Sequence, residues 1–320
     1  MNKINRILDT SSFAGSLIIL ECLLWGLGNP VTKIALEVVL PFYCLALRFS
    51  IAGIIFLIFF GKHIFYQLKT ANIKHILIVS LFTALSFITC TFSLLLTSAT
   101  IAGFLMSLAV IFTPFLSVII LKNKFNIANI PIVIIVVVGL FFLCNGNQGF
   151  HFGFGEIMAL LSSVFLACVF VYTSKYSSNT DVITLSAMQT IITALISWIC
   201  IAFFERSFSI LTITVTGWGA ILYSAVACTF LAYIFQNFAL KKVSAVFASL
   251  AFCSEPIFTA VFSRIILNER LNLLGWFGAS LIIIGIVIAS IYEKPSGEEE
   301  QASIKMEEPM EDKIIKQEIK

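Results

Sequence analysis

The sequence predicts an all-α integral membrane protein of ten transmembrane helices, arranged as two inverted five-helix repeats. Three observations predict it. Of 320 residues, 59% are hydrophobic and 12% are charged, against about 45–50% and about 25% in soluble domains. The apolar residues fall in ten runs, each close to the roughly 20 that cross about 30 Å of hydrocarbon. The second half of the chain echoes the first at an offset of about 146 positions. With a mean hydropathy of +1.03, the chain has too little polar surface for an ordinary soluble enzyme, a secreted disulfide scaffold or a disordered protein.

The runs read as 13–33, 42–61, 74–94, 98–121, 128–145, 155–175, 182–203, 217–239, 243–267 and 273–292. They are continuously apolar rather than alternating, which favours helices over a barrel. The first run is too long for a cleaved signal and holds Glu21, Trp25 and Pro30, so it is expected to remain in the protein. Glu21, Trp25 and Asn29 follow an i, i+4, i+8 spacing and share one helix face. A carboxyl, an indole and an amide together suit a polar organic solute better than a metal, and Pro30 loosens the helix above them. The second run carries Arg48 about two turns in. Arg48 either receives a substrate carboxylate or forms a structural ion pair with Glu21 or Glu255. The fourth run contains Pro114, the sixth Tyr172 and the seventh Gln189. On the eighth, Tyr233 and Gln236 share a face. Glu255 in the ninth precedes Pro256, whose missing N–H leaves a carbonyl of the preceding turn without its partner. Ionisable groups inside a span usually face the bundle interior or a water-filled path, so Glu255 is either a contact for a substrate amine or proton, or a packing residue.

Lys and Arg favour cytoplasmic loops. With the N-terminus inside, ten basic residues flank the inner ends of the spans and four the outer ends, which also places the C-terminus inside. The tail from Glu293 carries nine acidic and five basic residues and reads as polar and disordered. The eight cysteines lie singly in apolar runs, and the three histidines are scattered, so no metal site and no cofactor are expected. No GxxxxGK[ST] phosphate loop is present.

At the 146-residue offset Ser98-Ala99 falls on Ser244-Ala245, Ala102 on Ala248, Ile120-Leu121 on Ile266-Leu267, Asn126 on Asn272 and Gly139 on Gly285. Five spans per copy is an odd number, so the second copy starts on the opposite side of the membrane. Inverted repeats suit alternating access around a central site. The expected divisions are residues 1–146, 147–292 and the tail 293–320.

Several segments carry a resemblance. They are Leu24-Trp25-Gly26-Leu27-Gly28-Asn29-Pro30-Val31-Thr32-Lys33, Leu47-Arg48-Phe49, Leu96-Thr97-Ser98-Ala99, Ser254-Glu255-Pro256 and Leu267-Asn268-Glu269-Arg270-Leu271. Together they resemble the EamA-type permeases of the drug/metabolite transporter superfamily over nearly the whole chain apart from the tail. Where such proteins often repeat the Glu-Arg pair after the fourth span, this chain has Lys122-Asn123-Lys124. The resemblance implies a secondary transporter in the cytoplasmic membrane, without enzymatic activity, exporting a small polar, amino-acid-like metabolite. A permease working inward is the first alternative, and a membrane-embedded enzyme or structural subunit the second. The expected partners are a small-molecule substrate and the lipid bilayer, with protons a candidate coupling ion and no nucleic acid, in a monomer or homodimer. The candidate cavity-lining residues are Glu21, Trp25, Asn29, Tyr172, Tyr233, Gln236 and Glu255. Arg48, Pro30, Pro114 and Pro256 are the structural candidates.

Overall fold

The computed structural model describes residues 11–122, 127, 129–144, 153–176, 180–205, 209–268 and 272–292. Expectations for the first ten residues, Lys124, His151, Arg206, the Glu269-Arg270 pair and the tail lie outside them. The described chain is helical, with no strand. In order it forms α1 (Ser11–Leu36), α2 (Pro41–Leu68), α3 (Ile73–Leu96), α4 (Ala99–Ser107), α5 (Ala109–Leu121), α6 (Asn129–Cys144) and α7 (Phe154–Tyr176). There follow α8 (Val182–Phe204), α9 (Val215–Ala225), a π-helical turn (Val226–Leu231), α10 (Ala232–Ala239), α11 (Ala245–Phe252), α12 (Glu255–Ile266) and α13 (Leu273–Tyr292).

Eight segments are long and apolar enough to cross a membrane: α1 to α3, α4 with α5, α7, α8, α9 through α10, and α11 with α12. Two shorter apolar stretches, Ile130–Phe142 and Leu273–Ala289, lie in α6 and α13. Three of the apolar runs are therefore interrupted rather than continuous. The α4/α5 run breaks at Leu108 and the α11/α12 run at Cys253-Ser254. At the second break Pro256 occupies the first turn of the new helix, where its missing N–H costs nothing. Pro114 lies inside α5 and Pro30 inside α1. The π turn has no sequence signature and was not expected.

The helix starts follow local chemistry. Leu40 is extended before Pro41. Asn72, Ser98, Asp181, Thr214 and Ser244 each accept a backbone N–H with the side chain. Several of these features recur 146 positions apart. Ser98 and Ser244 are both N-caps. The breaks at Leu108 and Ser254 coincide, and so do the left-handed residues Lys122 (φ 58°) and Asn268 (φ 56°).

The helices pack as neighbours α2 with α8, α3 with α7, α6 with α13, and α1 between α9–α10 and α12. Close approach is forced at two glycines of α1. A Cβ on Gly26 would lie 2.4 Å from Phe258 Cβ, and one on Gly28 would lie 2.5 Å from Cys228 Sγ. Gly103 has only ordinary van der Waals room beside Thr259. A main apolar core runs through the bundle, with two smaller apolar clusters apart from it. Large apolar side chains such as Ile58, Phe59, Phe203 and Leu211 face outward, as a lipid-facing surface requires.

α1 and α3 finish at the same, upper end of the bundle. There the Glu205 carboxylate after α8 accepts the N–H groups of Phe42 (3.0 Å) and Tyr43 (3.1 Å) at the start of α2. Burial raises its pKa, outweighing these two bonds. At the lower end His63 Nε2 of α2 meets Asp181 Oδ2 before α8 at 3.0 Å. Burial pushes the Asp181 pKa up, but the Thr184 N–H, the Thr184 hydroxyl and His63 together hold it below the usual value. The α2/α8 pair is thus tied at both ends.

Candidate functional site

A small cavity of about 30 Å³ lies in the upper half of the bundle. From α1 it takes Trp25, Gly28, Asn29 and Thr32, from α2 Arg48, and from α3 Ser86, Phe87, Cys90, Thr91 and Leu94. Met106, Leu166, Cys228 and Glu255 complete it. Most of these walls are apolar, with a few convergent polar groups, as small-molecule sites usually are.

The polar groups are fixed by elements of both halves of the chain. Asn29 Nδ2 donates to Glu255 Oε1 at 2.7 Å and to Thr259 Oγ1 at 3.1 Å. The break before α12 sets Glu255 as its first residue, turned toward α1. Arg48 Nε donates to Thr229 Oγ1 at 2.7 Å, and Arg48 Nη2 to the Cys228 carbonyl at 3.0 Å. The Trp25 indole N–H reaches the same carbonyl at 2.8 Å. Both Cys228 and Thr229 sit in the π turn, whose widened spacing also lets the Thr229 hydroxyl reach the Ser224 carbonyl at 3.0 Å. The guanidinium lies 4.8 Å from the centre of the Phe87 ring, a cation–π distance.

The expected ion pair of Arg48 with Glu21 or Glu255 does not form. Among the described residues Arg48 has no carboxylate within ion-pair distance, because the π turn supplies its partners instead. The cavity is therefore lined by a guanidinium and a carboxyl group that do not meet each other.

Beneath the cavity lies an aromatic layer. Trp25 packs edge-on against Phe87 (5.7 Å) and Phe252 (5.3 Å), and Phe87 against Phe49 (5.0 Å) and Tyr233 (6.0 Å). Below it, Asn237 Nδ2 donates to Ser186 Oγ (2.8 Å) and Gln189 Oε1 (2.7 Å), and Gln189 Nε2 to Thr83 Oγ1 (2.9 Å). These bonds close the lower half across α3, α8 and α10.

Of the residues singled out from sequence, Trp25, Asn29 and Glu255 line the cavity, and so does Arg48. Glu21, Tyr233 and Gln236 do not. Glu21 is fully buried one turn below Trp25, Tyr233 belongs to the aromatic layer, and Gln236 lies one turn further down α10. Tyr172 is also elsewhere, because it stacks on Phe82 (5.5 Å) and Tyr176 (5.9 Å) in a separate apolar cluster. The i+8 spacing placed the α1 face correctly but not the floor that cuts it between Glu21 and Trp25. Thr229 and the Cys228 carbonyl were missed, since an irregular turn inside an apolar run leaves no pattern to read. Lys33, the last residue of the first apolar run, lies in the last turn of α1. It donates to the Thr97 carbonyl and, at 3.3 Å, to the Leu94 carbonyl at the end of α3. Thr97 in turn donates to Glu156 at 2.6 Å. Cys22, Cys44, Cys90, Cys168, Cys228 and Cys253 are free and buried, and Cys200 is free and half-buried.

Comparison with known proteins agrees with this architecture. A model of the EamA-like transporter family matches the chain twice, over residues 12–145 and 153–291. An uncharacterized transporter of Archaeoglobus fulgidus is 30% identical over 272 residues, 85% of this chain and 84% of that protein. A second uncharacterized transporter of the same organism is 24% identical over 267 residues, 82% and 94% of the two chains. A solved crystal structure superposes with a TM-score of 0.70 over 88% of this chain and 96% of its own, at 18% identity, a likeness of fold alone. With two matching copies that together span nearly all of residues 12–291, and with apolar helices long enough to cross a bilayer, the chain is a multi-pass membrane protein that belongs to the EamA-like transporter family of the drug/metabolite transporters.

Proposed function

We infer that this membrane transporter carries a small zwitterionic, amino-acid-like metabolite across the cytoplasmic membrane by alternating access, in the outward direction. The observation that carries the substrate class is the separation of Arg48 and Glu255 on one cavity. A buried guanidinium without a carboxylate partner suits a solute carboxylate, which it binds through two parallel N–H donors. Glu255 and the Asn29 amide suit an ammonium group, with the Trp25 and Phe87 faces packing the apolar part between them. An inorganic ion would use one of these charges and leave the other unanswered.

Ten crossings and an inverted five-plus-five repeat are supported by the eight long and two shorter apolar helices and by the features that recur after 146 positions. Lys122 and Asn268 then end equivalent helices on opposite faces of the membrane. In this reading residues 1–146 and 147–292 are the two repeats, both termini are cytoplasmic, and the cavity faces outward with its floor closed. Export rests on the resemblance and not on the cavity, which would serve either direction.

The test is a paired metabolite profile of cells and medium, in a host lacking close relatives, for the wild type, Arg48→Gln and Glu255→Gln at matched membrane levels. An amino-acid-like solute should accumulate outside only with the wild type. Depletion from the medium would reverse the direction, and equal accumulation with both variants would remove the assigned site.

A further inference from the structure

Glu21 is a carboxyl group that the solute cavity does not use. It is 0% exposed, and neither carboxylate oxygen accepts a hydrogen bond among the described residues. Two further polar groups, both on α10, share this state. The Tyr233 hydroxyl and both amide atoms of Gln236 are buried without a hydrogen-bond partner. Tyr233 and Gln236 are i, i+3 on α10, a helix that packs against α1, and Tyr233 lies within electrostatic range of Glu21. Buried polar groups normally find partners. An unpaired carboxylate, an unpaired hydroxyl and an unpaired amide around the same pair of helices mark a place built for a second arrangement.

Resting on the transporter reading, we propose that Glu21 is a proton-binding site, separate from the solute cavity, that couples proton movement to the exchange of its two conformations. In the conformation described here Glu21 keeps its proton, since an anion there would have neither water nor a counter-charge. The aromatic layer and the Trp25–Cys228 hydrogen bond separate it from the cavity above. When the floor opens, water reaches Glu21 and the carboxyl O–H bond breaks, giving its proton to water. The carboxylate left behind accepts from the Tyr233 hydroxyl and Gln236 Nε2, the two donors that stand idle in the closed floor. Reprotonation comes from water on the other side through a passing opening of the aromatic layer, which then reseals, so the proton count balances over a cycle.

The titratable groups that bear on Glu21 are Glu255 on α12, Tyr233 on α10 and Cys22 beside it, while Arg48 on α2 and Cys90 on α3 bear on Tyr233. Of the other carboxyl groups near the floor only Glu255 can imitate Glu21 in a titration, and it is the required control.

The test needs no solute. Dicyclohexylcarbodiimide enters apolar sites and adds to protonated carboxyl groups. The carboxyl proton passes to a carbodiimide nitrogen, the oxygen bonds the central carbon, and an acyl shift leaves an N-acylurea. The full chain in detergent is treated at steps from pH 5 to pH 9, and the modified residues are located by peptide mass spectrometry. The expected result is labelling of Glu21 that falls at least tenfold as pH rises, persists in Glu255→Gln and vanishes in Glu21→Gln. Proton counting over the same range should find one proton fewer bound by Glu21→Gln than by the wild type. If Glu21→Gln does not fold, Glu21→Asp must shift the pH at which labelling falls. Labelling that stays constant with pH, absence of labelling at every pH, or an unchanged proton count would overturn the proposal. None of these outcomes depends on whether a zwitterion is the solute, so a failed metabolite profile and a failed proton site are distinguishable.

Discussion

Arg48 donates to the Thr229 hydroxyl and the Cys228 carbonyl, and its charge is left for the cavity. Arg48→Gln keeps much of the volume and removes the charge. Losing a charge-assisted hydrogen bond costs about 1.5–3 kcal/mol, so uptake of a zwitterionic solute by reconstituted protein should fall on the order of 10- to 100-fold. Arg48→Lys keeps the charge but not the planar fork, and it should recover only part of the loss. Asn29 makes a different case, because its amide is what Glu255 Oε1 rests on. Asn29→Leu leaves that oxygen without its donor, and melting in detergent should report a loss of about 1–3 kcal/mol. Replacing Leu211, 96% exposed on the apolar surface, with alanine in the same assay should change little.

At the scale of helices, the glycines of α1 and the ties of α2 to α8 carry opposite lessons. Gly26 has Phe258 Cβ and the Thr259 backbone in the way of any side chain, whereas Gly61 of α2 has nothing within 4 Å of an added Cβ. Gly26→Val should push α1 off α12 and lower the melting temperature and the folded yield. Gly61→Ala should be neutral or stabilise by up to about 1 kcal/mol, the helix-propensity difference. The Asp181–His63 pair predicts a pH dependence with a fixed sign. The native carboxyl group titrates below its ordinary value, so its contribution is present above about pH 4 and is lost as pH falls through the lowered native value. The pair is partly exposed, which limits it to about 0.2–1 kcal/mol. The melting difference between wild type and Asp181→Asn should be full at neutral pH and shrink to nothing in strong acid.

Helix breaks show how far the sequence could be read at this scale. Pro256 sits at the break that presents Glu255, whereas Pro30 and Pro114 stay inside α1 and α5, so a proline alone does not tell a break from a tolerated kink. The π turn at Val226–Leu231 has no such mark, and with it went the partners of Arg48. Helical spacing put Glu21, Trp25 and Asn29 on one face, but only packing against Phe87 and Phe252 decides where the cavity stops. Tyr172 was misjudged for a similar reason. A tyrosine in a membrane helix looks polar in the sequence, while its ring stacks in an apolar cluster away from the cavity.

For the whole molecule, the apolar runs carried the membrane class and the long helices, because crossing hydrocarbon demands length and apolarity and little else. The 146-residue echo was faint in the sequence, where apolar residues align by chance. It is sharper in the backbone, where a serine cap, a helix break and a left-handed residue return at the same interval. Both halves of the chain wall the cavity. The central claim is that this cavity recognises a zwitterion through Arg48 and Glu255. It is tested most directly by counterflow in proteoliposomes preloaded with a mixture of neutral amino acids, following uptake of each labelled species. The account predicts saturable uptake of at least one zwitterion, reduced at least tenfold in Arg48→Gln and in Glu255→Gln, with no uptake of the matching amine or carboxylic acid alone. Saturable uptake that persists in both variants, or that accepts the singly charged analogues equally well, would contradict it.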